Sequence, residues 1–91
     1  RNRQVRQLAD ALEVGTELDV FEAAMALEKQ SREDLTKELD ELEGELGARI
    51  ASSSDRRRLF RSVELVRRLR AAARLNANPG QLSGWLCAGM F

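Results

Sequence analysis

Histidine and tyrosine are absent from this chain, and cysteine, proline and tryptophan each occur once. Histidine is the most frequent general base near neutral pH, and a nucleophile needs a base beside it. The single thiol, Cys87, stands between Leu86 and Ala88, with no evident base near it in the sequence. Nucleophilic catalysis therefore has few groups to use, and we expect no catalytic residue and no enzymatic activity in these 91 residues.

Patterns typical of cofactor and metal sites are missing as well. The glycine-rich loops GxxxxGK and GxGxxG, which cradle phosphates, do not occur. The segment 38–45 is rich in acidic residues but contains no His or Cys, and it lacks the alternating oxygen ligands of a calcium loop. We interpret them as a solvated helix face and expect neither a cofactor nor a metal site.

The chain also lacks net charge and long apolar runs. Lys and Arg number 15, as do Asp and Glu, so no overall field attracts nucleic acid or an anionic membrane. No apolar run approaches the roughly 20 residues that cross a bilayer, and the N-terminus lacks a signal peptide's apolar stretch. One cysteine cannot form an internal disulfide, so we expect Cys87 to be a buried thiol in the cytoplasm. The chain begins on Arg1, which favours a fragment of a longer protein.

Ala, Leu, Glu and Arg dominate what is present, and these residues favour helix. We predict one all-α domain over residues 1–91, a five-helix bundle without strands or internal repeats. Gly15 is expected to close the first helix in a left-handed conformation, and Thr16 of TELD to cap the second. Ser31 of SRED repeats the cap pattern and marks either a new helix or a bend.

The second helix is apolar around much of its circumference, which predicts a central position with neighbours on more than one side. Its apolar residues include Leu18, Phe21, Ala24, Met25 and Leu27. The third helix is long and acidic, and its stripe is too short for a sustained coiled coil, so core packing is favoured. That stripe consists of Leu35, Leu39, Leu42, Leu46 and Ile50.

The fourth helix follows Asp55, a predicted cap, and is rich in arginine. The inward residues are predicted to be Leu59, Val63, Val66, Leu69 and Ala73, with eight arginines on the other faces. Packed beside the acidic helix, these arginines would form ion pairs and cancel its field. The alternative is that they contact phosphates of nucleic acid.

The last helix begins after an Asn-Pro-Gly junction in which Asn78 is the predicted cap and Pro79 suits the first turn. Leu82, Trp85 and Leu86 fall at spacings of three and four, which favours an inward position for all three. The lone Trp85 is therefore predicted to fill the core, the other interpretation being an anchor for a neighbouring subunit.

The closing segment, RRLRAAARLNANPGQLSGWL, resembles the C-terminal end of bacterial DNA polymerase III clamp-loader subunits, most of all delta prime. That family often has Ala-Asn-x-Asn-Pro between its last two helices, and Ala77, Asn78 and Pro79 match here. The upstream helix order, with its SRED junction, is also similar. The long helix ends in GARIAS, with Arg49 but without the family's aromatic and acid, so the gamma/tau subunit stays an alternative.

The resemblance implies a collar domain that packs beside other clamp-loader subunits (gamma/tau and delta) and supports loading of the sliding clamp in DNA replication. ATP binding would belong to an N-terminal AAA+ region, and neither direct nucleic-acid contact nor a membrane is expected for the collar. A free-standing dimerisation module, with the stripe from Leu35 to Ile50 at a symmetric interface, is the structural alternative. The expected packing or subunit-interface residues are Leu59, Val63, Val66, Leu82, Trp85 and Leu86.

Overall fold

A computed structural model describes residues 2–75 and 81–91, without the side chain of Arg32. Within these ranges the chain forms five α-helices and no strand, which confirms the predicted all-α fold class. The helices are α1 (Arg3–Val14), α2 (Glu17–Glu28), α3 (Arg32–Arg49), α4 (Arg56–Arg74) and α5 (Leu82–Met90), with a 3-10 turn at Ile50–Ser52. The predicted cap Asn78 and the turn at Pro79 lie outside the described residues.

Three helices begin at the caps that the sequence predicts. At α2 the Asp19 amide donates to Thr16 Oγ1 over 3.2 Å and the Thr16 amide donates to Asp19 Oδ2 over 2.8 Å. Ser31 accepts from the Asp34 amide, so α3 is a new helix rather than a bend in α2. Asp55 caps α4 in the same way. These side chains satisfy amides that have no partner inside their helices.

Gly15 joins α1 to α2 in an extended conformation, with φ −85° and ψ 171°. The predicted left-handed turn is therefore wrong. Glycine is required by space instead, since a Cβ here would lie 2.8 Å from the Cα and the oxygen of Ala11. The tight approach lets α2 start after only two connecting residues, Gly15 and Thr16, and fold back against α1.

The helices pack so that α1 contacts α2, α3 and α4, while α5 lies against α2 and α4. The four leucines at 35, 39, 42 and 46 are buried inside the chain, and Ile50 is partly buried against the same core. This confirms core packing for the stripe and leaves it unavailable for a symmetric dimer interface. None of the described helices is both long and apolar enough to cross a membrane.

The acidic α3 and the arginine-rich α4 lie side by side, as their charges predict. Arg67 Nε donates to Glu43 Oε2 over 2.6 Å, and Arg70 pairs with both Asp40 and Glu43. The hydrogen bond from Arg67, helped by the charge of Arg70, lowers the pKa of Glu43 below its ordinary value. Because these groups are partly exposed, each pair stabilises the fold by only about 0–1 kcal/mol.

Arg58 is a half-buried arginine of α4 that reaches across to the end of α1. Its guanidinium donates to the carbonyl oxygens of Leu12 (2.8 Å), Ala11 (3.1 Å) and Gly15 (2.6 Å). The carbonyls at the end of a helix lack partners within it, and the helix dipole favours a cation there. The same guanidinium lies 5.4 Å from the centre of the Phe91 ring. Arg58 thus fastens the start of α4 to the end of α1 and to the last residue of the chain.

Candidate assembly surface

Five of the six predicted packing residues belong to the core. They are 7% exposed or less and share one hydrophobic cluster: Leu59, Val63, Val66, Leu82 and Leu86. The structure thus brings the inner faces of α4 and α5 together, as the two sequence stripes predict. These residues hold the monomer together and are not available to a partner.

Trp85 does not fill the core, because 39% of its surface is exposed. The reason is the direction in which α5 turns. The Ser83 amide donates to the Glu28 carboxylate over 2.6 Å, and Cys87 Sγ lies 3.7 Å from the Glu17 carbonyl oxygen. These contacts place the flank of α5 that carries Ser83 and Cys87 against α2. Trp85 lies on the opposite flank, which α2 does not cover.

Gly89 lies on the same side of α5 as Trp85, four residues further on. A Cβ at this position would come within 2.6 Å of the Leu65 side chain of α4. Gly89 therefore permits the close approach of α4 to α5 within the chain itself. Cys87 is buried, as predicted, and its burial raises the pKa of the thiol.

One side of α2 carries exposed apolar side chains. Leu18 is 62% exposed, Phe21 40% and Met25 41%, and the spacings of three and four place them along one face. We call these three residues the α2 ridge. The prediction that α2 has neighbours on more than one side is confirmed, because α1 and α5 both pack against it. Its predicted central position is wrong: Val20, Ala24 and Leu27 face the core, and the ridge is uncovered within the described part of the chain.

The surroundings of the α2 ridge are acidic. Helix α2 contains Glu17, Asp19, Glu22 and Glu28 and no basic residue. A groove of about 550 Å³ runs between α1 and α2, and the charged residues that line it within the described ranges are Asp10, Asp19 and Glu22. Asp10 is paired with Arg49, whereas Glu22 is exposed and makes no ion pair to a described residue.

The outer side of α4 has the opposite charge. Arg57, Arg61 and Arg68 are exposed and lie at spacings of four and seven, on the side away from the buried Leu59 and Val66. Beside them Phe60 is 58% exposed. We call Arg57, Phe60, Arg61 and Arg68 the α4 basic face.

Sequence reasoning missed the α2 ridge, the exposure of Phe60 and the distinct role of Arg58. The signal for the ridge was the apolar circumference of α2, which fits either a buried helix or one with an uncovered apolar face. The described residues include no group of three or more His, Cys, Asp and Glu that could hold a metal ion. This arrangement presents grouped apolar side chains at the surface, a feature that often marks protein-binding sites. No protein-family model, curated protein or solved structure matches the chain.

Proposed function

We propose that this chain is a helical subunit-assembly domain, the collar of a bacterial clamp-loader subunit of the delta prime type. The observation that supports assembly is the uncovered α2 ridge together with the exposed Trp85, on a domain whose own core is already closed. Large apolar side chains grouped on a monomer surface mark binding sites, and Trp, Phe and Met are enriched at the centres of protein interfaces.

The subunit type rests on the resemblance in sequence. Ala77, Asn78 and Pro79 match the junction between the last two helices of that family, and the helix order is similar over nearly the whole chain. On this proposal the domain acts in the bacterial cytoplasm during DNA replication and catalyses no reaction itself. Its partners are the gamma/tau and delta subunits, and the gamma/tau collar is the second choice for its identity.

Mixing the chain with purified delta and gamma/tau subunits and following the complex by sedimentation velocity tests this function. The double variant Phe21→Ser/Met25→Ser removes the centre of the α2 ridge, and Lys37→Ser, at an exposed position of α3, is the control. We expect the control to join the complex like the parent and the ridge variant to bind roughly tenfold more weakly or worse. A parent chain that joins neither subunit would refute the proposal.

Duplex DNA is the competing ligand, because Arg57, Arg61 and Arg68 are exposed. Binding through phosphates weakens steeply as salt rises, whereas apolar packing does not. Fluorescence anisotropy with a labelled duplex at several salt concentrations separates the two. Appreciable affinity that falls steeply with salt, combined with no affinity for the loader subunits, would assign the domain to DNA instead.

A further inference from the structure

Two helices of this neutral chain, α2 and α4, carry opposite charges and form no ion pair with each other among the described residues. Helix α2 carries four acidic residues and no basic one, while α4 carries eight arginines and one glutamate. Arg58, Arg67 and Arg70 are used inside the molecule, by the end of α1 and by α3. Arg61 Nη1 donates to the Met90 carbonyl oxygen over 3.5 Å and Arg68 pairs with Glu64 of its own helix, whereas Arg57 makes no hydrogen bond or ion pair to a described residue. The side chains of Arg57, Arg61 and Arg68 nevertheless stay exposed, as does Glu22 beside the α2 ridge.

The two faces cannot meet within one molecule. Helices α1 and α5 each contact both α2 and α4 and so lie between them. The α2 ridge points away from its buried residues Val20 and Ala24, and the α4 basic face points away from Leu59 and Val66. Each face is therefore open to another molecule.

We propose that copies of this chain associate head to tail, with the α2 ridge of one copy against the α4 basic face of the next. Phe60 of one copy packs among the apolar side chains of the ridge, and Arg57 and Arg61 face Glu22. Pairing two ridges with each other would instead bring Glu22 of both copies together, and like charges across an interface are unfavourable. Charge complementarity thus selects the basic face as the occupant of the ridge.

The contact is heterologous, so every pair leaves one ridge and one basic face open, and further copies add to form a closed ring or an open filament. This inference goes beyond the proposed function, because it concerns copies of this chain alone and needs no other subunit. Its failure would leave the binding of delta and gamma/tau subunits, tested separately above, unaffected.

Two blocked variants test the inference. Leu18→Glu places a charge on the ridge at its most exposed position, and Arg57→Glu/Arg61→Glu reverses the basic face. Arg74→Glu, an exposed arginine of α4 outside that face, is the matched control. Circular dichroism establishes that each variant is folded, and sedimentation velocity over a concentration series gives its mass.

We expect the sedimenting mass of the parent and of the control to increase with protein concentration, and each blocked variant to stay monomeric. An equal mixture of the two blocked variants should form a heterodimer and nothing larger, because one intact ridge and one intact basic face remain. High salt should weaken the association of the parent. A parent that is monomeric at every concentration up to about 1 mM would overturn the inference. So would a basic-face variant that associates like the parent, or a mixture that remains monomeric.

Discussion

Arg58 is where we expect the largest effect of a single charged side chain on stability. Replacing it with Met keeps an unbranched apolar stem but removes the guanidinium that reaches the carbonyls of Ala11, Leu12 and Gly15. A hydrogen bond contributes about 1 kcal/mol net, and more when the donor is charged. Since water reaches this half-buried site, we count about 1 kcal/mol for each of the three bonds, and about 0.5 kcal/mol for the cation over Phe91.

The free energy of unfolding should therefore fall by about 3.5 kcal/mol in Arg58→Met, a large share of the roughly 5–15 kcal/mol that stabilises a domain. For a chain of this length the melting temperature should fall by roughly 18 °C. Urea and thermal unfolding followed by circular dichroism measure both quantities. Arg57→Met is the control, because Arg57 is exposed and makes no hydrogen bond or ion pair to a described residue. It should change stability by less than about 0.5 kcal/mol.

The stability of Arg58→Lys should lie between that of the parent and that of Arg58→Met. An ammonium group cannot donate to several carbonyl oxygens at once in the geometry of a guanidinium. If Arg58→Met unfolds within about 0.5 kcal/mol of the parent, water satisfies the end of α1 equally well and our account of Arg58 is refuted.

Three further outcomes are expected. Trp85→Ala should lower the free energy of unfolding by about 2 kcal/mol in urea, because Trp85 is 39% exposed. A core tryptophan would cost roughly 3–5 kcal/mol. A loss as large as that of Leu86→Ala, at a buried position, would contradict the exposed position of Trp85. Thr16→Val should cost about 1 kcal/mol, since it removes the oxygen that caps α2, and an unchanged denaturation midpoint would show that the cap is dispensable. Because Arg67 lowers the pKa of Glu43, the stability from this pair is complete above the ordinary pKa of 4.5 and is lost as the pH falls through the lower folded-state pKa. Glu43→Gln should therefore flatten the acid limb of stability against pH, and an unchanged limb would contradict the pairing.

Local patterns in the sequence were sufficient for the helices and most of the core. Thr16, Ser31 and Asp55 each begin a helix because a side-chain oxygen caps amides a few residues away, which is a short-range interaction. The inward residues of α3 and α4 follow from helical periodicity alone, and the opposite charges of these helices predicted their ion pairs. The resemblance to clamp-loader collars likewise needed only the sequence, and it stays a prediction.

The tertiary structure decided which helix faces remain exposed to solvent. Spacings of three and four around Leu82 allow either flank of α5 to turn inward, and the contact between Glu28 and Ser83 selects the flank without Trp85. The apolar residues all around α2 did not show that Phe21 faces outward, because the exposure of each helix face depends on which other helices pack against it.

The roles of Gly15 and Arg58 were also set by the tertiary structure. Gly15 is needed for close approach to Ala11 rather than for a left-handed turn. Arg58 differs from Arg57 only by its position on the helix, about 100° further round, which aims it at the end of α1. Composition and periodicity describe each helix separately, whereas burial and exposure depend on distances between helices that are far apart in the chain.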